Sequence, residues 1–331
     1  MNELYLIAGI LLLIAGIVDF VWTTLWVEGG AGPITSRLSK ITWACTRRLS
    51  GDNSRTLSLT GPLLLSLTAI TWILLFWSGW TLVFSSDYYA LTDTQTKTAA
   101  TWADRIYFAG YVFFTLGVGD IVANTGYWKI TTIIATATGM LSVTLAVSYL
   151  ISVLSAITQK RSFAQSITGV GSSGSEIVQS VWNGKDLTSM NWLLLTCTSD
   201  LGKLTAQHHA YPILHYYHSA SVQHSAAVAV VLLDEALTIL EHGVPVEFQP
   251  DRLLMKEARS SVESYLNTVQ SVYPGSITDM PPAPSLDKLR QMGIPTSSDH
   301  EFDEALGKLE ERRRRLLSLI QANASKWPAD K

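Results

Sequence analysis

The chain has 331 residues, of which 47% are hydrophobic and only 15% are charged, and its formal net charge is −3. This balance is too apolar for an ordinary soluble domain, and it excludes a nucleic-acid-binding role that depends on an overall basic charge. The two cysteines, Cys45 and Cys197, fall in segments that we place in the cytoplasm. Neither a disulfide framework nor a metal site built on cysteine is therefore expected.

Three segments are long and apolar enough to span a bilayer as helices, which takes about 20 residues. They run from Leu4 to Val27, over residues 61–84, and from Trp128 to Ile157. The first is too long for a secretory signal and lacks its basic start and small-residue cleavage site, so we expect it to be retained. The pattern predicts an all-α membrane protein with three transmembrane helices.

Basic residues set the orientation, because cytoplasmic loops carry an excess of lysine and arginine. Those between the first two spans are Arg37, Lys40, Arg47, Arg48 and Arg55, and those after the third are Lys160 and Arg161. The segment between the second and third spans is acidic, with Asp87, Asp93, Asp104 and Asp120. We predict a multi-pass protein of the plasma membrane, with its N-terminus outside and its C-terminus in the cytoplasm.

Two features precede the second span. Asp19 lies within the first span, where an ionisable side chain is costly and usually faces protein or water. We interpret it either as a hydrogen-bonded residue near the interface or as a coupling or proton-sensitive position.

Residues 33–49 are typical of an amphipathic helix on the inner leaflet. This helix would bind anionic lipid or serve only as a topology anchor. Its apolar side comprises Ile34, Leu38, Ile41 and Cys45.

A short helix is predicted over residues 101–114, with Thr101 as its N-cap and Asp104 in its first turn. It is too short to cross a bilayer, and it leads directly into "TLGVGD", residues 115–120. Alternate glycines allow a positive φ at every second residue, which turns successive carbonyls toward the same side. A column of carbonyl oxygens replaces the hydration shell of a permeating cation.

The order of outer helix, short helix, Thr-x-Gly-x-Gly-Asp and inner helix, over residues 57–158, resembles the pore module of the tetrameric potassium channels. The first transmembrane helix is extra relative to that module. The resemblance implies a homotetramer with a carbonyl selectivity filter formed by Thr115, Leu116, Gly117, Val118 and Gly119. It also implies that Asp120 braces the filter, and we expect the hydroxyl of Tyr111 or Tyr107 to share this role. Permeant K⁺ is the only ion expected, and no cofactor.

The sequence departs from the family pattern at three positions. Val118 replaces the usual aromatic residue, Phe114 replaces a common threonine, and Phe108 stands where a hydrogen-bonding tryptophan is often found. These departures leave strict potassium selectivity and weakly selective cation conduction both open.

Gly139 lies where the family commonly has a hinge glycine in the inner helix, although glycine also serves close helix packing in membranes. Beyond it, an apolar stripe recurs at helical spacing and faces either the pore and its gate or the lipid. The stripe comprises Met140, Val143, Val147, Ile151 and Leu154. We expect the polar residues of the other faces to bond between helices, namely Ser142, Thr144, Ser148 and Ser152.

The C-terminal half is predicted to be mostly helical, over residues 175–183, 189–209, 212–242, 250–272 and 299–323, with a proline-rich connector at 273–285. "GVGSSG", residues 169–174, is interpreted as a flexible linker rather than a dinucleotide loop, because no strand precedes it.

His215 and His218 are one turn apart and would share a metal or sense pH, or else lie hydrogen-bonded in a packed interface. The last helix is expected to pack on its own domain or on a neighbour.

These features divide the chain into an extra transmembrane helix (1–27), a basic amphipathic linker (28–56), a pore module (57–160) and a helical cytoplasmic regulatory or assembly domain (161–331). The leading hypothesis is a homotetrameric cation channel that conducts potassium and is gated by its inner helix and cytoplasmic domain. The alternatives are a weakly selective channel and a non-conducting membrane-anchored signalling or scaffold protein. No pattern of catalytic residues indicates an enzyme.

Overall fold

The computed structural model describes residues 2–27, 30–50, 53–270 and 279–328. The chain folds as two compact units. The first contains the chain up to Thr42 together with Pro62–Val153, and the second contains Trp43–Gly61 together with the chain from Leu154 onward. Nearly all regular structure is helical, which confirms the predicted all-α fold.

The described residues of the first half of the chain form six helices and two short strands. The helices are α1 (Glu3–Leu25), α2 (Pro33–Ser50), α3 (Ser54–Ser58), α4 (Thr60–Ser85), α5 (Trp102–Phe113) and α6 (Gly126–Thr168). The strands are β1 (Leu91–Asp93) and β2 (Ile121–Ala123). Helices α1, α4 and α6 are long and apolar enough to cross a membrane, as predicted. The third continues beyond the predicted end at Ile157 to Thr168.

Glycines bring α1 and α4 into close contact. A Cβ at Gly9 would lie 2.8 Å from the carbonyl oxygen of Gly79, and one at Gly79 would lie 2.8 Å from the side chain of Leu13. A Cβ at Gly16, two helical turns along the same face from Gly9, would lie 3.2 Å from the ring of Phe76. Small residues at a helix crossing allow this backbone approach, which is a common way for membrane helices to associate.

The Asp19 carboxylate joins α1, α2 and α4. It is fully buried and accepts a hydrogen bond from the indole N–H of Trp72 at 2.9 Å and one from the hydroxyl of Thr35 at 2.6 Å. It also accepts from the backbone amides of Ile34 at 2.7 Å and Thr35 at 3.0 Å. Because these amides belong to the first turn of α2, Asp19 stabilises the positive end of that helix. The geometry matches the hydrogen-bonded interpretation of Asp19.

Helix α2 forms where the amphipathic helix was predicted, but its buried stripe is polar. Thr35, Ser39 and Thr42 are buried, whereas Ile41 on the predicted apolar side is 62% exposed. This polar stripe is buried because Asp19 binds the first turn of α2 and so fixes which face of the helix points toward α1 and α4. Residues 28, 29, 51 and 52 of the predicted linker lie outside the described part of the chain.

The second half contains seven α-helices among its described residues. They are α7 (Gly174–Ser180), α8 (Met190–Ala210), α9 (Ala226–Thr238), α10 (Arg252–Gln270), α11 (Asp287–Gln291), α12 (Asp299–Lys308) and α13 (Glu310–Ala322). All residues of α9 are buried, so this helix is the centre of the core. Asp234 on α9 is held by Arg259 of α10 at 2.9 Å and Arg312 of α13 at 2.6 Å.

Two helices predicted in this half as continuous elements are divided in the structure, so these predictions were wrong. The segment 212–242 begins with a 3₁₀ turn, Pro212–Tyr216, and only becomes α-helical after Ser225, which caps α9. A π-helical turn, Ile239–Gly243, follows. The last predicted helix is interrupted at Leu309, where α12 ends and α13 begins. Both α12 and α13 bury their apolar side chains in their own unit.

The end of the segment 169–174, which was predicted to be a flexible linker, is packed within the second unit. Ser173 and Ser175 are buried, and a Cβ at Gly174 would lie 2.8 Å from the side chain of Glu235 on α9. Of the proline-rich connector, residues 273–278 lie outside the described chain. Its remaining part is held by Arg313, which is buried and donates to the carbonyl of Pro282 at 2.5 Å.

Candidate functional site

Helix α5 begins with the capping arrangement that the sequence predicted. The hydroxyl of Thr101 accepts from the amide of Asp104 at 3.3 Å, and the Asp104 carboxylate accepts from the amide of Thr101 at 2.8 Å. This reciprocal pair satisfies two free N–H groups at the helix start. At the other end, Val112 and Phe113 are buried and fix α5 within the first unit.

Arg105 anchors the first turn of α5, and the sequence reasoning missed it. Its guanidinium is buried and donates to the carbonyls of Phe84 at 2.5 Å, Asp87 at 2.9 Å and Tyr88 at 2.8 Å. A cation there stabilises the carboxyl-terminal end of α4. The available signal was a lone basic side chain in the first turn of a helix, where the dipole disfavours it unless it has a partner elsewhere.

The chain leaves α5 through a Schellman turn. The amide of Thr115 donates to the carbonyl of Val112 at 3.1 Å, and the amide of Leu116 donates to that of Tyr111 at 2.8 Å. This motif requires a left-handed residue at Thr115, which has a φ of 60°. A β-branched residue in this region is strained by on the order of 1–3 kcal/mol. The glycine spacing predicted a left-handed backbone conformation at Gly117 and Gly119, and the same conformation at Thr115 was not foreseen.

The positive φ then recurs at every second residue. Gly117 has a φ of 59° and Gly119 a φ of 84°, so the alternation expected from the glycine spacing is present and begins one step earlier, at Thr115. Nothing lies within 4 Å of a Cβ built on either glycine. Their conformation, and not crowding within the chain, is therefore what requires glycine at these positions.

Two tyrosines hold the outer end of this loop. The hydroxyl of Tyr111 donates to the carbonyl of Ile121, and the hydroxyl of Tyr107 hydrogen-bonds the Asp120 carboxylate. Asp120 also accepts from the amide of Ile121 at 2.9 Å. The structure thus brings Asp120, Tyr107 and Tyr111 together, with Tyr111 reaching the residue after Asp120.

The strands β1 and β2 form a small antiparallel ladder next to this loop, with Asp93 paired with Ile121. Thr94 follows β1 and donates twice to the Asp120 carbonyl, from its amide at 2.8 Å and from its hydroxyl at 2.9 Å. Thr94 and the ladder were not foreseen, because strands of three residues give no readable alternation.

Replacing Tyr111 by phenylalanine is expected to lower the free energy of unfolding by about 1–2 kcal/mol, since the buried carbonyl of Ile121 loses its side-chain donor. Thermal unfolding measures the effect. Tyr89→Phe is the control, because Tyr89 is 66% exposed. Equal behaviour of the two variants would contradict this role for Tyr111.

The three departures from the family pattern occupy different surroundings. Phe108 is buried between Phe84, at 4.9 Å between ring centroids, and Tyr111, at 5.1 Å. Val118 is 56% exposed in the single chain, and Phe114 is 42% exposed beside Trp77. Phe108 therefore packs in the core of the first unit, whereas Val118 and Phe114 lie on its surface.

Gly139 of α6 lies directly against the carboxyl-terminal end of α5. A Cβ at this position would overlap the carbonyl oxygen of Phe113 and lie 2.8 Å from its carbonyl carbon. Only glycine allows this approach, which is a packing requirement. Helix α6 continues through Gly139 without interruption.

The apolar stripe beyond Gly139 is exposed in the single chain: Met140 60%, Val143 46%, Val147 50%, Ile151 62% and Leu154 50%. Three of the four hydroxyls expected to bond between helices, those of Thr144, Ser148 and Ser152, donate to their own helix. Thr144 donates to the Met140 carbonyl at 2.8 Å, and Ser148 donates to that of Thr144 at 3.0 Å. Such back-bonding satisfies a hydroxyl within the helix that carries it.

Three histidines of the second unit, His208, His215 and His218, are buried. The rings of His208 and His215 are 4.8 Å apart, and His218 is also buried. No group of three or more metal-ligating side chains occurs among the described residues. Burial lowers the pKa of His215 to about 3, and the positive charges of Lys160 and His209 add to this effect. Burial also lowers the pKa of His218.

A neutral His215 makes the stability of this unit depend on acidity. The unfolded chain takes up a proton below its ordinary pKa of 6.5, whereas the folded chain does so only near 3. The contribution of His215 to the free energy of unfolding is therefore fully present above pH 6.5. It is lost as the pH falls toward 3, by up to about 1.4 kcal/mol per pH unit. Melting temperature against pH should have a smaller slope in His215→Gln than in the parent or in His300→Gln, whose histidine is exposed. Equal slopes would contradict the prediction.

Comparisons with known proteins bear on this site. A family model described as "Ion channel" matches residues 68–156, which include α5, the "TLGVGD" loop and Gly139. The chain is also 56% identical over 328 residues to the "Uncharacterized membrane protein YdjJ" of Bacillus subtilis (strain 168). That alignment covers 99% of this chain and 96% of YdjJ.

This chain belongs to the same family as YdjJ, and its residues 68–156 match the ion channel family. The match confirms the resemblance drawn from residues 57–158, and YdjJ is a relative of the channel over nearly its whole length. The chain is a membrane protein, and its described residues include three helices able to cross a bilayer. No solved structure matches it.

Proposed function

We propose that the channel is a homotetramer that conducts potassium ions passively through a carbonyl filter formed by residues 115–119. One observation carries this proposal: positive φ at Thr115, Gly117 and Gly119, directly after the carboxyl-terminal end of α5. The alternation turns successive carbonyls toward one side, where they replace the hydration shell of a cation. The negative end of the α5 dipole favours a cation at the inner end of the loop.

The exposure of the loop supports four copies around one axis. Leu116 is 68% exposed and Val118 is 56% exposed in the single chain, although both are apolar. A groove of about 500 Å³ runs along the same loop, lined by Tyr111, Gly117 and Thr132 among others. A single loop supplies only one side of a carbonyl column, so closure by cyclic symmetry is needed to complete it. The neighbouring copies would cover the groove and the apolar side chains.

Selectivity depends on how firmly the filter is held. The hydrogen bonds of Tyr111 and Tyr107 at its outer end support a fixed filter, despite Val118 in place of the family's aromatic residue. Potassium ions are the permeant species, and the mechanism requires no bound cofactor. The acidic outer segment would raise the local cation concentration.

Gating would take place at the inner half of α6, where the exposed stripe from Met140 to Ile151 would line the pore. Apolar rings at Val147 and Ile151 would close it by dewetting. This arrangement requires the plasma membrane orientation predicted from the basic residues, with the second unit in the cytoplasm. Gly139 acts here through close packing on α5, and a hinge role would require movement about that contact.

Flux assays on the purified channel in liposomes test the proposal. Potassium flux that barium blocks, with little sodium flux, is the expected result. Gly117→Ala should abolish it, because the left-handed conformation is strained for alanine. Gly184→Ala is a matched control, since Gly184 also has a positive φ, of 88°, and open space around it.

The other outcomes decide between the alternatives. Comparable sodium and potassium flux would replace the selective channel with a weakly selective one. The absence of flux in a folded tetramer would favour a signalling or scaffold protein. A protein that remains monomeric in mild detergent would contradict the assembly itself.

A further inference from the structure

A cleft of about 500 Å³ lies in the second unit, where the last turns of α2 meet the chain after α13 and the start of α9. Arg47 of α2 and Lys326 of the C-terminal tail line it from different parts of the chain. Gln321 and three serines complete its polar lining: Ser219, Ser225 and Ser325. No carboxylate is present among the described residues that line the cleft.

The fold holds the tail in place around this cleft. The amide of Ala324 donates to the Gln321 carbonyl at 3.0 Å, and the amide of Ser325 donates to the Ile320 carbonyl at 3.0 Å. These bonds form a Schellman turn in which Ala324 has a φ of 47°, an unfavourable value for a residue with a Cβ. Trp327 packs against the hydrophobic core. Lys326 is therefore fixed between an ordered turn and an anchored tryptophan.

The charges of the cleft are not neutralised by acidic partners in its lining. The Arg47 guanidinium is 3.5 Å from the Gln321 carbonyl, at the outer limit of a hydrogen bond, so most of its donors remain available. Helix α9 begins at the cleft with Ser225 as its N-cap and carries no acidic residue in its first turn. The positive end of α9 therefore adds to the two cations.

We propose that this cleft binds a phosphate-bearing anion, either the headgroup of an anionic phospholipid or a soluble phosphate compound. Arginine offers a planar set of donors that matches phosphate oxygens, and lysine adds a point charge. The Ser225 hydroxyl, which accepts from the Val228 amide, supplies a further donor, and the volume suits a ligand of headgroup or nucleotide size. This binding does not depend on conduction, so it stands or fails separately from the proposed function.

Isothermal titration of the full-length protein in neutral detergent tests the site with three probes: dioctanoyl phosphatidylglycerol, dioctanoyl phosphatidylcholine and inorganic pyrophosphate. At least one anionic probe should bind, and phosphatidylcholine should not. Arg47→Gln with Lys326→Gln should weaken that binding by roughly tenfold or more per lost cation. Arg48→Gln is the matched control, because it removes an exposed cation next to Arg47 on the same helix but outside the lining.

The outcomes separate the sources and the competing explanation. Binding of the phospholipid alone identifies a headgroup site, and binding of pyrophosphate identifies a site for soluble phosphate. An equal loss in Arg48→Gln would overturn the proposal in favour of a generally basic helix surface. Failure of both anionic probes would overturn it too, leaving Arg47 and Lys326 only to stabilise the end of α13. Lys326→Gln alone keeps the test valid if the double variant does not fold, because it leaves the contact of Arg47 with the Gln321 carbonyl in place.

Discussion

Gly139→Ala is expected to abolish ion flux and to destabilise the first unit. The added methyl group would overlap the carbonyl oxygen of Phe113, and this is backbone that cannot rotate away. Overpacking of this kind costs about 1–3 kcal/mol in each chain. It would also push the end of α5 away from α6, and that end leads directly into the filter loop.

Melting temperature and potassium flux should be measured together with those of Gly126→Ala. Gly126 begins the same helix and has nothing within 4 Å of a Cβ, so alanine there should be neutral or slightly stabilising. If Gly139→Ala melts and conducts like the Gly126 control, α5 and α6 do not approach each other as closely as described.

Asp19→Ala is expected to have the second large effect, a loss of about 3 kcal/mol or more in stability. The substitution leaves the indole N–H of Trp72, the hydroxyl of Thr35 and two backbone amides without their acceptor. Each buried group that loses its partner costs about 1–3 kcal/mol. The start of α2 also loses the negative charge that stabilises its dipole.

Thermal unfolding in detergent is the measurement. Asp19→Asn should lie between the parent and the alanine variant, because the amide keeps one acceptor oxygen. Glu3→Ala is the control, since Glu3 is an exposed acid at the start of the same helix. A melting temperature of Asp19→Ala equal to that of the control would show that the contact contributes nothing to stability.

The features that were predictable from the sequence are those that local pattern determines. Long apolar runs indicated the three spanning helices. The Thr101 and Asp104 pair indicated the start of α5, and the alternate glycines indicated the conformation of the loop. In each case the residues that form the feature are adjacent or nearly adjacent in the chain.

The features that were not predictable depend on partners far along the chain. Arg105 is held by carbonyls 17–21 residues before it. Glycine is required at position 139 by its contact with Phe113, and the spacing of residues along the sequence does not predict that contact. The helix expected over 212–242 failed because Pro212 and Ser225 impose local turns within an apolar, helix-like composition. The rotation of α2 was missed because it depends on Asp19, which belongs to another helix.

The contacts of Asp19 also have a consequence for the order of biosynthesis. The helix that carries this carboxylate leaves the ribosome first, and Trp72 follows 53 residues later. Until that second span arrives, only the nearby start of α2 can shield the charge from lipid. A nascent chain stopped before Trp72 would therefore hold an incompletely satisfied acid at membrane depth.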